Sequence, residues 1–177
     1  MTERYSFHAL DPDSFILIHY PTRKGLPLLD AFNYGDTTYK EIWKVVPTDA
    51  AVLMELWIRN GSQQTLTGLR VQNCVMLKAA AGFNRRETEN KRLTSPYVAC
   101  RNAAGNRWII TAWEKCQRPW ANRDCPCMHS DPTFPDCPPG QTQRLRGWLS
   151  FYAGTDIEAE LKRIERTGWH RPVTGNP

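Results

Sequence analysis

The chain has 177 residues, of which 41% are hydrophobic and 23% are charged, and this length and composition fit one globular domain with its own core. The net charge is +5, but basic and acidic residues are interleaved and no Lys/Arg-rich run occurs, so we expect no nucleic-acid partner. No apolar run is long enough to cross a membrane, so we also expect no membrane insertion.

Alternation of apolar and polar residues predicts β-strands along most of the chain. The predicted strands cover residues 15–20, 39–46, 52–59, 66–77, 97–100, 107–113 and 142–152. In the third of these strands the apolar residues at alternate positions, Leu56 among them, share one face. The polar turn that follows predicts an antiparallel hairpin between residues 52–59 and 69–77, with Leu56 and Val71 facing the core.

A second hairpin is predicted between residues 97–100 and 107–113, because Gly105 supplies the positive φ that a tight turn needs. After the last strand, Thr155 and Glu158 have the spacing of a capping box, so a short amphipathic helix is expected to begin there. We therefore predict an all-β fold that forms a single domain over residues 1–177. Its type is an antiparallel β-sandwich, either a supersandwich or a jelly roll, with one short C-terminal helix.

A segment at residues 114–141 is rich in cysteine and proline. It holds four of the six cysteines, namely Cys116, Cys125, Cys127 and Cys137. Because proline removes backbone donors and fixes φ, we predict an irregular loop. We expect bonds to the cysteine sulfurs, and not the hydrogen bonds of a strand ladder, to hold this loop. Disulfides are the preferred interpretation, with at least four of the six cysteines bonded. They would indicate a secreted or periplasmic protein.

Two other interpretations of these cysteines stay open. In one, the C-x-C-x-H spacing of Cys125, Cys127 and His129 binds zinc. No cofactor is otherwise predicted, and zinc or another transition metal is the alternative. In the other, one cysteine is a nucleophile and His129 is its base.

Asp131 is a candidate catalytic residue, and so is His129. His129 lies two residues before Asp131, and an imidazole beside a carboxylate serves as a general acid or base. The alternatives are a structural histidine that bonds to loop carbonyls, and a metal triad made of His8, His19 and His129.

The tryptophans are the candidate ligand-binding residues, and seven of them occur in the chain. Trp113, Trp120 and Trp148 border the cysteine-rich segment, and Arg146 lies near them in sequence. Aromatic faces stack on the apolar faces of sugar rings, so this set predicts a carbohydrate site. The alternative is that the tryptophan rings fill the core.

Residues 51–83 and 138–148 resemble two elements of the galactose-mutarotase-like supersandwich proteins. The first stretch has a strand, the turn Asn60-Gly61-Ser62 and a second strand, and the second has a Pro-Gly turn before a late strand. The resemblance implies a carbohydrate-handling β-sandwich. Gln141 stands where the family turn has an acidic residue, and no catalytic residue is carried over.

These observations predict an exported protein that binds or processes carbohydrate, with carbohydrate as its partner. Two other functions stay open. One is a small jelly-roll metalloenzyme with histidine ligands, and the other is a structural module without catalysis.

Overall fold

The computed structural model describes residues 4–8, 15–19 and 40–171, and the side chains of residues 48–171. The described residues form antiparallel strands and one helix. In chain order these are β1 (Arg4–His8), β2 (Phe15–His19), β3 (Lys40–Pro47), β4 (Val52–Arg59), β5 (Cys74–Met76), β6 (Lys91–Thr94), β7 (Tyr97–Arg101), β8 (Arg107–Trp113), β9 (Cys116–Asn122), β10 (Cys127–Pro132), β11 (Thr142–Ala153) and α1 (Ile157–Arg166). No helix in this part of the chain is long and apolar enough to cross a membrane.

The strands form two sheets, which confirms the predicted all-β sandwich. The first sheet has the order β1-β2-β5-β10-β9, and the second has the order β3-β4-β11-β8-β7-β6. One apolar cluster takes Val75 and Met128 from the first sheet and Leu56, Ile109 and Leu149 from the second. The core therefore lies between the two sheets, as alternation along each strand requires.

The helix covers the other side of the second sheet. Leu161 and Ile164 of α1 pack with Trp108, Ile110 and Trp148 in a second buried cluster. The apolar stripe predicted for this helix is thus what fixes it to the sheet. Its N-cap is Asp156, whose side chain accepts a hydrogen bond from the Ala159 amide, so the cap lies one residue after the predicted Thr155.

Two predictions about strand pairing have opposite outcomes. The hairpin of β7 and β8 is confirmed. The hairpin between residues 52–59 and 69–77 is wrong, because β4 pairs with β3 and β11 while β5 belongs to the other sheet. Leu56 and Val71 nevertheless face the shared core, as predicted. Alternation assigns a side chain to a face, but it does not name the neighbouring strand.

The cysteine- and proline-rich segment is more regular than predicted, and this corrects the irregular loop at residues 114–141. Residues 116–132 of this segment form the antiparallel pair β9–β10, with Pro119 opposite Ser130. Pro119 is compatible with a strand because β9 is the edge strand of the first sheet. Proline at an edge costs no ladder hydrogen bond when its nitrogen faces away from the neighbouring strand.

Gly147 of β11 lies opposite Trp113 of β8, and the buried indole covers it. A Cβ atom at position 147 would lie 2.8 Å from Trp113 Cε2. We expect Gly147→Ala to lower the free energy of unfolding by about 1–3 kcal/mol, as in other overpacked cores, when it is measured by denaturant titration. The double variant with Trp113→Phe should recover part of this loss. An unchanged loss would mean that the ring is not the obstacle.

Candidate metal centre

The candidate site lies on the face of the first sheet that points away from the core. In β10, Met128 belongs to the core between the sheets, so Cys127, His129 and Asp131 fall on the opposite face. Cys74 of β5 lies directly opposite His129 in the ladder. All four are buried, with exposed fractions of 6% for Cys74, 2% for Cys127, 2% for His129 and 0% for Asp131.

Three of these residues have side-chain atoms that can bind a metal, and these atoms lie close together. The Cys127 Sγ is 3.2 Å from the His129 Nε2, and the ligand atoms of Cys74, Cys127 and His129 all lie within 4.8 Å of one another. Zinc holds sulfur at about 2.3 Å and nitrogen at about 2.0–2.1 Å, so ligands around one ion sit roughly 3.5–4 Å apart. The three residues thus have the chemistry and spacing of a partial zinc site.

The surroundings of the two thiols shift their pKa values in opposite directions. The Cys74 thiol donates a hydrogen bond to the Cys127 sulfur, and this bond raises the pKa of Cys74 and lowers the pKa of Cys127. Burial raises the pKa of Cys127, whereas the contact with His129 lowers it further. Cys127 is therefore the sulfur that ionises first, and a thiolate is the form that binds metal.

Asp131 stands behind the imidazole. Its Oδ1 is 3.8 Å from His129 Nδ1, which is too long for a hydrogen bond, and Nδ1 has no hydrogen-bond partner among the described residues. The Trp120 indole donates to Oδ2 at 2.7 Å, and the backbone amide of Asn73 donates to Oδ1 at 2.9 Å. Burial raises the pKa of Asp131, although both hydrogen bonds oppose this. A carboxylate in this place orients a metal-binding histidine in many sites.

Trp120 completes the wall of the site. Its ring stacks on His129 with centroids 3.9 Å apart and 16° between the planes, and the Arg118 guanidinium lies 4.5 Å from its centroid. The indole fixes the plane of the imidazole by stacking and fixes Asp131 by its hydrogen bond. Unlike the four buried residues Cys74, Cys127, His129 and Asp131, Trp120 is partly exposed.

The other predicted ligand-binding residues lie in different parts of the structure. Trp113 is buried in the core between the sheets, and Trp148 is buried in the cluster under α1. Arg146 lies on the outer face of the second sheet opposite Glu55. In this conformation, neither Trp113 nor Trp148 offers a ring face to a ligand from solvent, and the predicted carbohydrate site stays a prediction.

The outer face of the second sheet carries an aromatic and charged row next to Arg146. Trp57 lies opposite Arg144, whose guanidinium is 5.1 Å from the ring centroid, and Arg144 also pairs with Glu55. The Arg146 amide donates to Glu114 Oε1 at 2.8 Å. Burial raises the pKa of Glu114, although the hydrogen bond from Arg146 opposes it. These side chains are exposed to different degrees and form a polar surface beside a partly exposed indole.

The predicted disulfides are wrong for the described cysteines, because all six are free. The ladder of β9 and β10 holds the segment without them. Cys100 lies in the second sheet, and Cys137 donates to the Gln141 carbonyl at 3.3 Å. The prediction of export rested on these disulfides, and it stays a prediction without that support.

Thiol counting tests this correction directly. We expect six reactive thiols in denaturant with a metal chelator and without reductant, because none of the six cysteines forms a disulfide. The chelator matters because metal-bound thiolates react slowly. A count of two or fewer would restore the disulfide interpretation.

The turn after β4 is fixed by one buried side chain. Asn60 Nδ2 donates to the Gln64 and Cys137 carbonyls, at 2.7 Å each, and its Oδ1 accepts from Ser62. We expect Asn60→Asp to lower the free energy of unfolding by at least about 2 kcal/mol, because a buried carboxylate would replace two donors against carbonyl oxygens. Denaturant titration measures this loss. Gln63→Glu is the exposed control in the same loop and should change stability by less than about 0.5 kcal/mol.

The sequence identified part of this site. It singled out Cys127, His129 and Asp131, which the structure brings together, and it missed Cys74 as a potential ligand. Cys74 lies in a predicted strand, but the sequence paired that strand with β4. Its true neighbour is β10, which carries Cys127 and His129. In the predicted histidine triad, the side chains of His8 and His19 lie outside the described residues. The backbone register does place His19 opposite Cys74.

No protein-family model matches the chain, and no curated protein sequence matches it. Among solved structures, the Slr1438 protein from Synechocystis sp. PCC 6803 is similar at 8% identity and a TM-score of 0.47, over 85% of this chain and 66% of that one. A putative kojibiose phosphorylase from the human microbiome is similar at 6% identity and a TM-score of 0.48, over 88% of this chain and 20% of that one. The chain thus spans less than two thirds of either structure. The similarity is too weak to support an argument, and the resemblance to mutarotase-like proteins stays a prediction.

Proposed function

We propose that this β-sandwich is a zinc-binding protein whose metal is held by Cys74, Cys127 and His129. The observation that carries the proposal is the convergence of two sulfurs and the His129 Nε2 within 4.8 Å, on adjacent strands of one sheet. Asp131 supports it from behind the imidazole, in the place where metal-binding histidines commonly have a carboxylate.

The ligand chemistry favours zinc over the harder divalent ions. Thiolate and imidazole ligands suit zinc, whereas magnesium and calcium take oxygen ligands. A zinc ion here would join β5 to β10, the two neighbouring strands that carry the ligands. Because all three ligand residues are buried, the proposed role is structural: the metal stabilises the first sheet.

Metal analysis tests this proposal on protein purified without a polyhistidine tag and exposed to zinc before desalting. We expect one zinc per chain in the native protein and less than a tenth of that in Cys74→Ser and Cys127→Ser. The matched control is Cys100→Ser, a buried cysteine of the second sheet, which should keep its zinc. A native protein without bound zinc, or an equal loss in the control, would contradict the proposal.

Carbohydrate binding is a second candidate, supported by a different surface. The partly exposed Trp57 lies beside Arg144 and Glu55, with Arg146 and Glu114 in the next positions of the same face. An indole beside charged hydrogen-bonding groups is a composition that suits a sugar ring. A glycan array tests it: binding should be lost in Trp57→Ala and kept in Trp120→Ala. Absence of binding to any glycan would remove this candidate and leave the zinc proposal untouched.

A further inference from the structure

Cys125 stands at the solvent side of the three buried ligand residues. It lies two residues before Cys127, the first residue of β10, and is partly exposed. Its sulfur lies 3.4 Å from the Met76 Sδ, and Met76 is opposite Cys127 in the ladder. Cys125 is also close enough to Cys127 for the two side chains to interact electrostatically. It therefore lies next to the proposed zinc site without belonging to the group whose ligand atoms are all within 4.8 Å.

The backbone holds Cys125 near that position. The Cys127 amide donates to the Cys125 carbonyl at 2.8 Å, which closes a tight turn just before the strand. The turn keeps both cysteines at the same end of β10. A change of χ1 rotamer moves a cysteine sulfur without moving the backbone, so Cys125 has a route toward the other two sulfurs.

We propose that Cys125 supplies the fourth ligand and completes a Cys₃His zinc site that closes from the solvent side. This inference rests on the proposed zinc function, since it names a further ligand of the same ion. Structural zinc is almost always four-coordinate, with Cys₃His among its common ligand sets. Among the described cysteines outside the group of three, Cys125 is the one whose sulfur contacts Met76, the residue opposite Cys127 in the ladder.

The surroundings of Cys125 suit an exchangeable ligand. A pocket of about 360 Å³ opens beside it and is lined by Lys78, Asn84, Arg86, Asp124, Cys125 and Pro126. The other three ligand residues are buried, so the metal enters and leaves through this pocket and Cys125 is the first ligand to exchange.

His19 is the competing fourth ligand. The β2–β5 register places it opposite Cys74, and the β5–β10 register places Cys74 opposite His129. These three positions form one row across three neighbouring strands. A test therefore has to separate a third thiolate from a second imidazole.

Cobalt substitution makes that separation, because thiolate-to-cobalt charge-transfer absorption grows with the number of bound thiolates. With Co²⁺ as the probe, we expect a tetrahedral spectrum for the native protein and weaker charge-transfer absorption per cobalt in Cys125→Ser, as three thiolates become two. His19→Asn should keep the native intensity. The inference is overturned if Cys125→Ser leaves the intensity unchanged, or if His19→Asn alone abolishes tetrahedral binding. A native protein that binds no cobalt or zinc would instead contradict the zinc function itself.

The rate of metal loss gives a second measurement. Transfer of zinc to an excess of chelator should be at least tenfold faster from Cys125→Ser than from the native protein, because the proposed outer ligand is gone. Cys137→Ser is the matched control, since Cys137 bonds to the Gln141 carbonyl away from the site, and it should release zinc at the native rate. Equal rates in Cys125→Ser and the native protein would contradict the exchangeable ligand.

Discussion

Zinc added to the metal-free protein should raise its free energy of unfolding, by about 2.7 kcal/mol at 100 times the dissociation constant and about 4.1 kcal/mol at 1,000 times. The physical reason is that Cys74, Cys127 and His129 converge only in the folded chain, where two strands bring them together. Denaturant titration with and without zinc measures the gain. Some binding to the unfolded cysteines would reduce it.

The controls for this result separate the site from cysteine chemistry elsewhere. Cys127→Ser should show no gain from zinc, because it lacks the sulfur that lies 3.2 Å from His129 Nε2. Cys100→Ser should show the full gain, because Cys100 is in the second sheet. An equal response of both variants would place the metal outside the proposed site.

Replacement of Leu56 by alanine should lower the free energy of unfolding by about 2–5 kcal/mol, the range for large-to-small changes in a core. Leu56 is fully buried and belongs to the cluster that both sheets share. The cost has two parts, the lost burial of the isobutyl group and the cavity that remains between the sheets. Denaturant titration measures the sum.

Leu53→Ala is the matched comparison for this change. Leu53 is in the same strand but on the opposite face, where it is only partly buried against the helix cluster. Its loss should be smaller than that of Leu56→Ala. If the two losses were equal, or if the Leu53 loss were larger, the core would not lie on the face that the structure assigns to it.

The candidate site was predictable to the extent that its residues are close in the chain. Cys127, His129 and Asp131 alternate along β10, so they share one face of a strand. The sequence placed them in an irregular loop because prolines surround them, and an edge strand accommodates Pro119 all the same. Cys74 and Trp120 come from strands on either side of β10, and nothing local to them indicates that neighbour.

Local patterns in the sequence determined the all-β class, the buried face of β4, the β7–β8 hairpin and the amphipathic helix. Each of these depends on the spacing of residues within one short segment, which the period of a strand or helix sets. The partners of β4 and β5, the free state of the cysteines and the contact of Cys74 with Cys127 came only from the packed sheets. Strand partners are selected by the total burial of the two sheets against each other. The two-residue period is the same in every strand, so it does not indicate which strands pair.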